Sequence, residues 1–105
     1  NILILIIMQT DLGTIYKLNI HIGGLPDTMD DVDFHCKFWT YRKELTVEKK
    51  DMIRIDENNY MAVVDSSLLG RGTLKVQTTV LVPDTDVDGG VRREIYTEYT
   101  DIKVN

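Results

Sequence analysis

The chain has 105 residues, with 12 Lys and Arg against 17 Asp and Glu, and a formal net charge of −5. A chain of this size exposes about 6,000 Å² when folded against about 17,500 Å² when extended, which supports one hydrophobic core and excludes a second domain. The acidic balance argues against nucleic acid or an anionic membrane as partner, and the lone Cys36 excludes an internal disulfide framework.

The first element, within residues 1–13, opens with Ile2-Leu3-Ile4-Leu5-Ile6-Ile7-Met8. It lacks the basic flank and small-residue cleavage site of a signal peptide and is too short to span a bilayer. A β-branched run of this kind reads as a strand buried on both faces. Uncharged and without proline, it would be an aggregation hazard as an exposed edge. The expectation is therefore that it lies in the middle of the domain's own sheet or is donated to another subunit, with Ile2, Ile4 and Ile6 as candidate interface residues.

Period-two alternation marks the next elements. Over residues 14–22, Tyr16, Leu18, Ile20 and Ile22 share one face, and Lys17, Asn19 and His21 the other. Over residues 33–41, Phe34, Cys36 and Phe38 point one way, and His35, Lys37, Trp39 and Tyr41 the other. Shorter strands are predicted at 44–48, 52–55 and 60–64. A long one at 73–82 turns Leu74, Val76, Val80 and Val82 inward, and a last one covers about 92–104. Gly- and Asp-rich turns separate them, and only residues 65–70 read as helical, one capped turn closed by Gly70. Seven or eight short strands with turns between them predict a single all-β domain over residues 1–105, an antiparallel immunoglobulin-like β-sandwich.

The chemistry-bearing residues are few. A nucleophile needs a base beside it, and the two histidines, His21 and His35, fall on the solvent-side register of their strands, so no catalytic residue is assigned. No phosphate-cradling glycine loop or zinc-ligand spacing occurs. Asp84, Asp86 and Asp88 stand at alternate positions before Gly89, the pattern by which calcium loops gather oxygens, but the twelfth position is Ile95 rather than a bidentate glutamate. An acidic hairpin tip explains the same residues without a metal. No cofactor is therefore assigned, with calcium kept as an alternative. Trp39 and Tyr41 on an outward register are the residue types of interface hot spots. A covering strand or loop, a subunit contact and a sugar-stacking platform all remain open for them.

From about Leu18 to Val104 the chain resembles a family of small β-sandwich modules encoded by phages and prophages of Bacteroides, including crAss-like phages. The likeness rests on ordered blocks: Asp31-Val32-Asp33-Phe34, Val47-Glu48-Lys49-Lys50, and Ile55-Asp56-Glu57-Asn58-Asn59-Tyr60-Met61-Ala62-Val63-Val64-Asp65. Further along come Leu69-Gly70-Arg71-Gly72, Val82-Pro83-Asp84-Thr85-Asp86, Gly90-Val91-Arg92-Arg93-Glu94 and Asp101-Ile102-Lys103-Val104. Such modules are similar to the attachment domains of phage fibre and baseplate proteins. The resemblance implies a non-catalytic virion subunit of a head fibre or tail appendage, assembled in the host cytoplasm. Its implied partners are itself, as dimer or trimer, and other virion proteins. It also suggests that residues 83–94 form a structured hairpin with an Asp–Arg pairing. A glycan- or calcium-binding surface module is the alternative.

Overall fold

The computed structural model describes residues 2–12, 15–41 and 43–104, and for residues 8–12 only the backbone. Among the described residues eight strands run in chain order: β1 (Leu3–Leu12), β2 (Ile15–Gly23), β3 (Asp33–Trp39), β4 (Glu44–Glu48), β5 (Ile53–Asp56), β6 (Asn59–Asp65), β7 (Gly72–Pro83) and β8 (Val91–Val104). They form two four-stranded antiparallel sheets, in the orders β1-β2-β6-β5 and β4-β3-β7-β8. That is the order of an immunoglobulin-like sandwich, in which the first, second, fifth and fourth positions of the fold face the third, sixth and seventh. The extra strand here is β4, at the edge beside β3.

The alternation in the sequence is the packing code. Leu18, Ile20 and Ile22 of β2, Phe34, Cys36 and Phe38 of β3, and Leu74, Val76, Val80 and Val82 of β7 are all essentially inaccessible and form one continuous core. Deleting one of the large side chains, as in Phe38→Ala, costs ~3–5 kcal/mol in such a setting. Phe34 meets Tyr60 of the facing sheet edge to face, ring centres 5.3 Å apart, which sets β3 over β6. The Tyr16 hydroxyl donates to the Lys103 carbonyl at 3.5 Å, setting the start of β2 over the end of β8. Sheet order then puts β1 and β8 along the same side of the sandwich.

The predicted helical turn is a single 3₁₀ turn at Ser66–Leu68, capped by the Asp65 carboxylate, which accepts from the Ser67 amide. Two further 3₁₀ turns, Met29–Asp31 and Lys49–Asp51, occupy stretches that read as loops. No helix among the described residues is long and apolar enough to cross a membrane.

Candidate assembly surfaces

Among the described residues β1 is an outer strand, with β2 as its sole neighbour in the sheet. This removes the expectation that the apolar run lies mid-sheet and is buried on both faces. Its pairing with β2 sets Ile4 opposite Ile22 and Ile6 opposite Ile20, in phase with the core. Ile4 is therefore buried, and Ile2 and Ile6 are partly buried against the core. The three isoleucines named as interface candidates are mainly core anchors. The exposed apolar residues are the intervening ones, Leu3, Leu5 and Ile7, at 58%, 46% and 56% exposure. An all-apolar run hides its own alternation, so only the register with β2 tells one face from the other.

Behind this apolar margin the outward residues of β2 are the polar Lys17, Asn19 and His21, while further across the same face Val63 and Ile53 are exposed again. The Asn19 amide donates to Asn59 Oδ1 at 3.0 Å, and His21 Nδ1 lies 2.8 Å from the Asn58 carbonyl oxygen. The polar row on β2 thus separates the apolar margin of β1 from the exposed Val63 of β6 and Ile53 of β5. Half of a strand's backbone donors and acceptors point away from its one neighbour, so an outer strand offers a ladder to an incoming strand.

Trp39 lies elsewhere. It stands on the outer face of the other sheet, paired with Glu44 of β4 and Lys75 of β7, with the Lys37 ammonium 5.3 Å from its ring centre. Tyr41, just past β3, is 81% exposed. Lys75 in turn opposes Tyr99 of β8, which is 75% exposed, so Trp39, Lys75 and Tyr99 form one row across the sheet. Tyr99 was not singled out in the sequence, because only the β7–β8 register brings it into line. Trp39 and the N-terminal half of β1 occupy opposite faces and opposite ends of the sandwich. They are two surfaces, not one docking face.

The acidic motif forms the β7–β8 turn. Gly89 and Gly90 take φ values of 87° and 77°, a region that side chains rarely enter, and the Asp84 amide closes the turn on the Gly90 carbonyl at 2.9 Å. Asp84 Oδ1 accepts the Asp86 amide at 3.0 Å, and Oδ2 accepts Arg92 Nη1 at 2.8 Å; Arg92 Nη2 reaches Glu94 at 3.2 Å. The Asp86 amide, then Arg92, hold the Asp84 carboxyl below its usual range. This is the Asp–Arg pairing that the resemblance suggested. Asp84 thereby turns both oxygens to protein donors, and among the described residues no three His, Cys, Asp or Glu groups converge as metal ligands. An open cleft of about 530 Å³ separates this hairpin from Gly24, Leu25 and Pro26, with the paired Arg92 on its wall.

Cys36 is fully buried, its Sγ 3.4 Å from Thr78 Oγ1, and burial pushes the thiol up to about 12. His35, on the opposite face of β3, has Nδ1 3.9 Å from the Glu48 carboxylate, so thiol and imidazole are separated by the sheet itself.

A polar clamp that the sequence did not reveal closes the side of the sandwich away from β1. The Lys49 ammonium donates to the carbonyls of Met29, Asp30 and Val32 at 3.0, 2.9 and 2.7 Å, using all three of its protons on one 3₁₀ turn and its exit. Arg54 grips both oxygens of Asp30 at 2.9 Å, and the Tyr60 hydroxyl donates to the same carboxylate. These bonds, Arg54 first, lower the Asp30 carboxyl to about 2. Asp30, Asp31 and Asp33 accept from Arg54, Thr28 and the Phe34 amide respectively.

No protein-family model, curated protein or solved structure matches the chain.

Proposed function

We propose that the chain is a non-catalytic structural subunit of a tailed-phage particle, a head-fibre or tail-appendage module that assembles by β-strand addition at β1. The observation that carries the assembly reading is the outer strand β1: uncharged from Ile2 to Thr10, joined to one neighbour, with Leu3, Leu5 and Ile7 turned outward. Adding a strand satisfies the backbone ladder and buries the apolar margin in one step. The virion setting is supported by the ordered sequence blocks from Leu18 to Val104 that resemble phage modules. The Trp39–Lys75–Tyr99 row then serves a second contact, with another virion protein, at the far end of the subunit.

Immunogold labelling of particles purified from the strain that carries the coding sequence tests this. The expected result is label on a head fibre or tail appendage, lost when Leu3→Lys and Ile7→Lys are introduced together in a folded chain. Particles without label, or undiminished incorporation of the double variant, would refute it.

A further inference from the structure

We propose that the strand added at β1 is β1 of a second copy of this chain, paired antiparallel about a two-fold axis that passes beside Leu5. This deepens the assembly reading by naming the occupant of the edge, and it rests on that reading.

β1, β5, β4 and β8 are the outer strands of the two sheets among the described residues. β4 has five residues with a glutamate at each end, β5 has four including Arg54 and Asp56, and β8 carries Arg92, Arg93, Glu94, Glu98, Asp101 and Lys103. Short length and charge are the ordinary means of blunting an edge. β1 has neither: it is ten residues long and its first charge is Asp11. An edge selected to receive a charged partner strand would carry the opposite charge; this one matches an uncharged strand, and residues 2–8 are the longest uncharged apolar run the chain contains.

The run is also self-complementary. Antiparallel pairing about an axis beside Leu5 sets Leu5 against Leu5 of the second copy, Leu3 against Ile7, Ile4 against Ile6, and Ile2 against Met8. All seven residues of the run find an apolar partner, and parity is kept. Outward Leu3, Leu5 and Ile7 meet outward residues, while core-facing Ile4 and Ile6 meet core-facing ones, so the two sandwiches join layer to layer. The register shift between Met8 and Thr10 ends the regular ladder where this pairing ends. In the layer beneath, β8 brings three basic and three acidic residues to the same side, so the second copy meets no net repulsion there.

Sedimentation velocity on the full chain over a wide concentration range tests the proposal with four samples: the parent, Leu5→Lys, Leu5→Glu, and the two variants mixed in equal amounts. Leu5 is outward-facing, so both variants are expected to fold, and circular dichroism checks this. Like charges directly opposed across the axis should weaken the dimer about tenfold or more, and the mixture should restore it because Lys then faces Glu. A parent that stays at the chain mass of 12.1 kDa throughout overturns the proposal, as do variants that remain dimeric. A mixture that stays monomeric overturns the Leu5 register. As a second readout, Leu5→Cys should oxidise to a covalent dimer, with Cys36 protected in the core; failure to cross-link in a dimeric sample overturns the register equally. A monomeric parent whose label still appears on particles defeats the two-fold alone, whereas absence from particles defeats the assembly reading itself.

Discussion

β1 and β8 are the long outer strands on one side of the sandwich, yet β8 carries six charged residues among 14 and β1 carries none before Asp11. β8 also turns polar groups toward the sandwich mouth, where the Tyr96 hydroxyl donates to Glu94 at 2.9 Å and burial raises the Glu98 carboxyl. β1 turns Ile2, Ile4 and Ile6 inward and Leu3, Leu5 and Ile7 outward. The same backbone geometry therefore yields one strand that ends a sheet and one that invites its continuation. What differs is side-chain charge, the means by which β-proteins keep edges apart.

The two edges should differ most in association. Leu5→Lys should weaken self-association about tenfold or more, while Tyr99→Lys at an exposed position of β8 should leave it unchanged in the same sedimentation experiment. Equal effects from both would erase the distinction between the edges. Next in size, the triple change Arg93→Thr, Asp101→Thr and Lys103→Thr should turn β8 into a second adhesive edge. Light scattering should then find species larger than a dimer; an unchanged mass would show that charge is not what guards β8.

Stability changes should separate cleanly from association, because the polar clamp lies on the side away from β1. Lys49→Met removes three charge-assisted bonds to carbonyls and should cost ~2 kcal/mol in urea unfolding without altering the dimer constant. In the same clamp the folded Asp30 carboxyl titrates at about 2, below its ordinary 3.8. Its bonds to Arg54 and Tyr60 therefore stabilise the fold above pH 3.8, and that contribution disappears as pH falls through about 2. Asp30→Asn should flatten the acid limb of the stability profile in that window.

The smallest effect belongs to β8. Burial raises Glu98 above 4.5, so its ionised form is less favourable folded than unfolded, and stability falls as pH rises from 4.5 through the raised value. Glu98→Gln should raise the Tm slightly at neutral pH, with the gain gone below pH 4.5. A gain that persists in acid would assign the effect to packing instead.

The fold was legible because most strands alternate. Tyr16 to Ile22, Phe34 to Phe38 and Leu74 to Val82 each announce a buried face, and the structure buries those residues. β1 was legible as a strand but not as an edge, since position within a sheet depends on which strands pair and not on the strand's own residues. For the same reason the sequence does not show that Leu3, Leu5 and Ile7, rather than Ile2, Ile4 and Ile6, are the exposed set. The Trp39–Lys75–Tyr99 row and the Lys49 clamp join residues 17 or more apart in sequence, and no local spacing encodes them.

Amide hydrogen exchange across residues 2–8 and 91–104, measured at low and high protein concentration, tests the central contrast most directly. β1 amides pointing away from β2 should slow as concentration rises while β8 amides keep their rates. Concentration-independent exchange in β1, or equal slowing in β8, would contradict it.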